Sequence, residues 1–357
     1  MSEIKLFPFS IDELKDYLLV SDITENQIIS SLMDTHRGFT SARDSVNKYT
    51  EEIIHVSSYS MFYMPSDFPK LSMVLSQLNP EVTEFLSRQK VSVFDIGCGP
   101  GTFSFAWHNF FTTSPHSFNL LDKSAPMLHQ AKVFAEKVFN LPNAKFLGSF
   151  PKKLISENQN SIRVVIFGHS INEMGLDLAN NYIESIDPDF IFMLGPGTPK
   201  VFESYMKWKS NYVSSKKYTT LYPCINMQTC PMSERESDWC HQVLRAKLPK
   251  DLHILCQKLA IDRRSVSFTC HLHCRNSFNF SNDHANYTIV QFLGETKFSW
   301  RYRACPIGGR DIVELELMKK LLSPEAKVKI NSLAAGCRVY VQEHKVLSPT
   351  HIRGVIN

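Results

Sequence analysis

The sequence predicts an α/β protein. A parallel sheet with crossover helices spans residues 89–215. A helical extension (1–88) precedes it, and a smaller β-rich, cysteine-bearing region (216–357) follows. Three observations predict this. Short apolar runs alternate with helical patterns from about residue 89 to 215, as in strands joined by crossovers. The run Val93-Phe94-Asp95-Ile96 breaks into Gly97-Cys98-Gly99-Pro100-Gly101-Thr102, with three glycines at alternate positions. A later run, Phe118-Asn119-Leu120-Leu121, again ends on an acid, Asp122.

Taken in order, residues 1–88 read as helical and mixed polar. Glu25–Met33 and Asp44–Ile54 look amphipathic, and Pro65, Pro69 and Pro80 punctuate the approach to the core. Strands are predicted at 91–95, 117–121, 144–147, 162–167 and 189–194. Thr102 to Phe111 continues the glycine turn as a helix. Ser124 is placed to cap the next one, with Pro126 in its first turn. The fifth strand runs into a Gly195-Pro196-Gly197-Thr198-Pro199 turn. Beyond Leu221, β-type runs appear at Val266–Thr269, Tyr287–Phe292, Ile312–Leu317 and Val339–Gln342, broken by Gly308-Gly309 and Gly336.

Composition narrows the class. With 43% hydrophobic and 21% charged residues, the chain is a globular, not a disordered, sequence. A net charge of +4 permits a nucleic-acid partner without demanding one. No apolar run approaches a membrane span. Glu3, Asp12, Glu13 and Asp16 stand where a transit peptide avoids acids and a signal peptide needs an apolar stretch, so a cytoplasmic location is expected. Nine cysteines then read as reduced thiols or metal ligands, not disulfides.

The glycines carry the first chemistry. Gly97, Gly99 and Gly101 let the main chain approach a ligand without Cβ atoms, and the following helix points its free N–H groups at it. A dinucleotide site uses G-x-G-x-x-G. Here G-x-G-x-G follows an acid by two positions, and this resembles the first motif of the class I S-adenosylmethionine (SAM) methyltransferases. Asp122 lies roughly 20 residues beyond the glycines, where nucleotide-binding α/β folds place the carboxylate that holds ribose hydroxyls. The resemblance implies that Asp122 holds the ribose, that Gly97, Gly99 and Gly101 shape the methionine pocket, and that Asp95 orients the loop and reaches the methionine amine through water.

In such enzymes the acceptor meets the methyl group at the end of the fourth strand. Here that place is Gly168-His169-Ser170-Ile171-Asn172-Glu173. His169 and Glu173 are the candidate catalytic residues, His169 as proton acceptor. The alternatives are a structural histidine and a helix capped by Ser170 or Asn172. The Asp-Pro-Pro-Tyr loop of adenine and amide N-methyltransferases is absent, as is a nucleophilic cysteine for cytosine C5 chemistry. Further on, Cys224-x5-Cys230-x9-Cys240-His241 is a dense thiol cluster. Soft thiolates at such spacings hold zinc or iron–sulfur clusters. A zinc ribbon favours two C-x2-C pairs. Three unrelated buried cysteines are the remaining reading. A fourth ligand would come from Cys305, Cys270, Cys274 or His241.

Together these segments resemble the methyltransferase-like family of mitochondrial small-ribosomal-subunit assembly factors, which has bacterial members. Asp95 to Thr102 match its first motif, and Asp122, Ser124, Met127 and Leu128 its second. Pro196 to Pro199 match its Glu-Pro-Gly-Thr-Pro run, with Gly195 in place of Glu. Pro223 to Pro231 and Asp238 to His241 match its Pro-Cys-x5-Cys-Pro and Asp-Trp-Cys-His segments. The resemblance implies a [4Fe–4S] cluster, with zinc as the alternative. It implies a partner in ribosomal RNA or the small ribosomal subunit, and SAM-dependent methyl transfer to that RNA or SAM-assisted binding of it. The family's fourth ligand falls at Met318, which is no thiolate, so Cys305 in the same segment is expected to join Cys224, Cys230 and Cys240. Two alternatives are a catalytically inactive SAM-binding assembly factor and a small-molecule or protein methyltransferase with a structural metal.

Overall fold

The computed structural model describes residues 4–20, 22–40, 51–151, 160–223, 230–233, 238–280, 285–308 and 311–356. Most of the predicted amphipathic stretch Asp44–Ile54, together with Cys224 and Gly309, lies outside them. Eight strands form the first sheet: β1 (Val91–Ile96), β2 (Ser117–Leu121), β3 (Ala144–Leu147), β4 (Ile162–Gly168), β5 (Phe190–Pro196), β6 (Tyr218–Tyr222), β7 (Gln242–Arg245) and β8 (Ser265–Arg275). Their order is β3-β2-β1-β4-β5-β8-β6, with β7 also on β8. The first five pair in parallel, and β8 runs antiparallel between β5 and β6. All five predicted strands are present, each within two residues of its expected bounds.

Strand order reverses between β1 and β4, both fully or largely buried. Open α/β sheets bind ligands at such a switch point, outside the carboxyl ends of the strands. The elements arriving there are α5 (Thr102–Phe110) after β1, α6 (Ala125–Lys137) after β2, and α7 (Ile171–Met174) after β4. Ser124 caps α6 as expected, its hydroxyl accepting from Met127 N at 3.2 Å, with Pro126 in the first turn.

The amino-terminal region is helical, as expected, and packs against the helices of the first sheet. α1 (Ile11–Lys15), α2 (Glu25–Thr40), α3 (Ile53–Ser76) and α4 (Pro80–Arg88) lead into β1. Every residue of α3 from Val56 to Ser76 except Tyr59 is buried, and the helix packs against α2, α5 and α6. A helix apolar on all sides needs such a position inside the fold. Pro65 and Pro69 do not break α3 but lie within it. Pro80 starts α4 behind the Asn79 cap.

Beyond the boundary expected at residue 216, three strands still pair within the first sheet. β6, β7 and β8 all complete the first sheet, so the run Val266–Thr269 belongs there and not to an appendage. α8 (Leu176–Ile186) leads into β5, α9 (Pro199–Ser214) joins β5 to β6, and α10 (Lys250–Leu259) joins β7 to β8.

The second sheet holds β9 (Tyr287–Glu295), β10 (Ser299–Pro306), β11 (Val313–Met318), β12 (Arg338–Val339), β13 (Val341–Ser348) and β14 (His351–Ile356). Its order is β12-β9-β10-β11-β14-β13. Only Tyr340 separates β12 from β13. One continuous segment therefore pairs with β9 at its start and with β14 along its length, and the sheet closes into a five-stranded barrel. β11 and β14 are parallel; the other pairs are antiparallel. The helix α11 (Pro324–Asn331) enters between β11 and β12, and the Tyr302 hydroxyl inside the barrel donates to the Ile330 carbonyl at 3.3 Å. Tyr302, Leu315, Leu317, Val339 and Val341 are buried within.

Candidate functional site

The glycine turn is held by the end of β2. Gly97 N and Cys98 N donate to the Leu121 carbonyl at 2.8 and 3.0 Å. All three glycines have positive φ: +69° at Gly97, +54° at Gly99 and +92° at Gly101. Crowding separates them. A Cβ on Gly97 would lie 2.5 Å from Ser170 Cβ, and one on Gly101 would lie 2.6 Å from the Phe105 ring. At Gly99 no atom would lie within 4 Å. Gly99 thus borders open space, where a ligand can approach the main chain.

Asp122 faces the same loop. One carboxylate oxygen accepts from Gly99 N at 2.8 Å, the other from Ser124 N at 2.9 Å. Burial pushes its pKa up, and backbone hydrogen bonds from Ser124, Gly99 and Lys123 oppose the shift. The carboxylate retains acceptor capacity for a further donor. Asp95 is fully buried below. Its Oδ2 accepts from Ser104 N at 3.0 Å and Ser104 Oγ at 2.8 Å, while Oδ1 has no partner among the described residues. Burial raises its pKa to about 7 against the Ser104 hydrogen bonds. An orphaned carboxylate oxygen and an open glycine edge fit a ligand carrying an amine and a hydroxylated ring.

His169 directly follows β4, with a positive φ of 64°, and stacks on Phe103 at 6.0 Å. The next residue, Ser170, makes no side-chain cap; its hydroxyl donates to the Ile96 carbonyl at 2.6 Å, tying the end of β4 to that of β1. Glu173 is exposed on α7. Lys70 Nζ lies 2.8 Å from His169 Nε2 and 2.8 Å from an Asp67 oxygen. Asp67 also pairs with Arg263, which donates to Ser66 Oγ at 3.0 Å and lies 5.4 Å from the Tyr63 ring.

This is a largely buried cluster of four ionisable groups, and burial is the largest single influence on Asp67, Lys70 and His169. Burial pushes Asp67 up, but the Lys70, Arg263 and His169 charges hold its pKa well below the ordinary carboxylate range. It lowers Lys70 to about 8, against the pull of Asp67. It lowers His169 to about 3, helped by the Lys70 charge. His169 is therefore neutral at pH 7, and its Nε2 lone pair accepts from Lys70. The sequence reading missed Asp67, Lys70 and Arg263. The legible signal was an acid and a base at i and i+3 within an otherwise apolar run.

Cys230, Cys240 and Cys305 pack against one small cluster built on Phe202, Met232 and Val290. Arg303, two residues before Cys305, donates to Asp238 at 2.5 Å and joins the same segments. Cys270 and Cys274 are buried in β8 within the main core, apart from this cluster, and His241 contacts the Trp239 carbonyl at 3.2 Å. Among the described residues no set of three His, Cys, Asp or Glu is arranged to hold a metal ion. Gly195, where the family run has Glu, is closely packed: a Cβ there would lie 2.7 Å from the Tyr205 hydroxyl.

A family model described as mitochondrial small ribosomal subunit Rsm22 matches residues 54–273, more than half of the chain. The chain belongs to this family. The Rsm22 match begins at α3 and ends within β8, so it contains Asp67, Lys70, the glycine turn and Arg263, and it stops before the barrel. Comparison with curated proteins finds no match. Solved structures that it resembles include precorrin-6y C5,15-methyltransferase from Geobacter metallireducens, at 13% identity and a TM-score of 0.33 over 57% of this chain and 86% of that one. TYW2 of M. jannaschii in complex with AdoMet gives 11% identity and a TM-score of 0.32 over 59% and 75%. The plantazolicin methyltransferase BpumL gives 13% and 0.35 over 74% and 99%. Among the described residues no helix is long and apolar enough to cross a membrane.

Proposed function

We propose that this chain is a SAM-dependent methyltransferase-like protein that acts on or binds ribosomal RNA during assembly of the small subunit. The junction of Asp122 with the Gly99 amide, beside open space, carries the reading. Asp122 takes the ribose hydroxyls, and Asp95 Oδ1 takes the methionine amine through a water. Gly97 and Gly101 keep the turn tight enough to leave that room. Bound SAM supplies a methyl group already activated on a sulfonium, so positioning the acceptor can provide most of the effect. At the mouth, Glu173 is the side chain that meets an acceptor. His169, neutral and bonded through Nε2, orients the mouth through Lys70 and Asp67 in place of abstracting a proton. That occupied lone pair favours a second reading, a catalytically inactive SAM-binding assembly factor.

The same reading assigns Cys224, Cys230, Cys240 and Cys305 to a [4Fe–4S] cluster, with zinc as the alternative. Soft thiolates suit either. The convergence of three of them on one apolar cluster supports the set. The cluster would supply a cross-link between the cysteine-bearing excursion and β10.

Titration calorimetry tests the cofactor site. Asp122→Ala is expected to weaken SAM binding by about 1.5–3 kcal/mol, the worth of a charged hydrogen-bond acceptor, or about 10- to 150-fold. Equal affinity in the two proteins refutes the assignment. Transfer of a labelled methyl group to small-subunit RNA separates the enzyme from the inactive factor.

A further inference from the structure

The barrel lies outside the family match. Its connectivity is specific. Three antiparallel strands (β9, β10, β11) are followed by a helix, a long strand (β12–β13) that returns to pair with β9, and a last strand (β14) parallel to β11. Numbered from its own start, the barrel closes in the order 1-2-3-5-4-1, with a helix between strands 3 and 4. That is the Greek-key arrangement of the OB-fold, in which the face of strands 2 and 3 and the loop between strands 1 and 2 bind oligonucleotides or oligosaccharides.

Charge and exposure choose between those ligands. Residues 285–357 hold eleven Lys and Arg against six Asp and Glu, a net of +5, whereas the whole chain carries +4. The rest of the chain is therefore slightly acidic, and the entire positive excess sits on the barrel. Of the fourteen large hydrophobic residues exposed among the described ones, eight are on the barrel, including Phe292, Phe298 and Tyr340.

The two signals meet at the β9–β10 hairpin. Phe298 is 64% exposed at its tip. Lys297 Nζ lies 5.6 Å from the Phe298 ring, and Lys319 Nζ lies 4.8 Å from the Trp300 ring. Arg301 follows on the outer face of β10. Nearby carboxylates are already matched: Glu295 pairs with Lys319, Glu314 with Arg301, and Glu316 with Arg353. The lower part of the same face is covered, because Arg303 and Cys305 pack under the segments that carry Asp238 and Cys240. The hairpin end stays open.

We propose that the β9–β10 hairpin of the barrel is a docking site for single-stranded RNA. Phe298 stacks a base, and Lys297 holds an adjacent phosphate. Aromatic platforms interleaved with basic side chains are how unpaired strands are bound without sequence readout, since every base offers a π-face. A neutral oligosaccharide would gain nothing from the concentrated charge. The proposal rests on the reading of an RNA partner given above but names its own surface.

Fluorescence anisotropy of the full chain with a labelled 12-nucleotide single-stranded RNA tests it. Phe298→Ala is expected to weaken binding about 5- to 150-fold, the range one base–aromatic stack supports, while Phe298→Tyr retains it. Lys297→Gln is expected to lower the slope of log affinity against log salt by about 0.7, one phosphate contact on a single strand. Thermal melting and SAM titration of each variant show that the fold and the cofactor site are intact. Wild-type binding of RNA with no loss in Phe298→Ala overturns the hairpin site and leaves the RNA partner standing. Equal competition by duplex RNA, or by a neutral oligosaccharide, overturns the stacking mode. Failure of SAM to bind, with RNA binding still sensitive to Phe298, overturns the proposed function and leaves the hairpin site.

Discussion

Replacing Asp67 by Asn keeps the shape of the buried cluster and removes its one negative charge. Lys70 and Arg263, only 2% and 15% exposed, would then face each other across a neutral amide. Lys70 has an escape. With a folded pKa of about 8 against 10.5 for an ordinary lysine, it already carries a net cost of roughly 3 kcal/mol at low and neutral pH, burial outweighing the pull of Asp67. Giving up its proton at pH 7 caps that cost at about 5 kcal/mol, so Lys70 adds at most about 1–2 kcal/mol in the variant. Arg263 cannot deprotonate, and its charged hydrogen bond is worth about 1.5–3 kcal/mol. The expected destabilisation at pH 7 is therefore about 3–4 kcal/mol. Its sign with pH is also fixed. A lysine whose folded pKa is depressed binds fewer protons than in the unfolded chain, so its cost is present below pH 8 and fades as pH approaches 10.5. The Asp67→Asn penalty should fall toward the Arg263 share alone at pH 10. Urea unfolding of both proteins at pH 7 and pH 10 measures it. A penalty under 1 kcal/mol at pH 7, or one that grows toward pH 10, would refute the cluster as described.

Three further expectations concern the turn, the buried acid and the thiols. Gly97→Ala is expected to lower the melting temperature, because its Cβ meets Ser170 and its φ is strained, whereas Gly99→Ala should stay folded and lose SAM affinity in calorimetry. Asp95 has a folded pKa raised to about 7, so its cost is absent below about pH 3.8 and complete above pH 7. Asp95→Asn should accordingly be more stable than wild type at pH 8, by up to about 4 kcal/mol less any weakening of the Ser104 bonds, and the gain should vanish near pH 4 in denaturant melts. Anaerobically purified protein should contain iron and acid-labile sulfide near four per chain, and Cys230→Ser or Cys240→Ser should bleach its visible absorption; stoichiometric zinc without sulfide would replace the iron reading.

What was legible in the sequence was local. β1, β2, β4 and β5 are apolar runs that stop at glycine or an acid, and the cofactor turn is written contiguously from Asp95 to Thr102. The glycines' different duties were not written there. Only packing distinguishes the crowded Gly97 from the open Gly99. β8 looked like part of an appendage because nothing within Ser265–Arg275 says that β5, some 70 residues earlier, is its partner. α3 was legible as helix, but its depth was not, because its serines and prolines mask how fully it is buried. Arg263 reaches Asp67 across 196 positions, which no local pattern records. The barrel closes through the uninterrupted passage of β12 into β13, and a run of β-formers shows no hint of which neighbour each end will find.

One feature of the first sheet bears on how its edge is kept from pairing with another chain. β6 pairs with the carboxyl half of β8 and β7 with its amino half, both antiparallel. They are two pieces of one outermost strand, five and four residues long, parted by the cysteine-bearing excursion. An unbroken strand in that position would offer a row of unpaired amides and carbonyls on which another chain could add. The excursion splits the row, and Val243 N on the second piece is already taken by the Ala335 carbonyl at 2.9 Å. Replacing the excursion with a few extended residues would join the two pieces into one strand, and the molecule so repaired would be the one that aggregates.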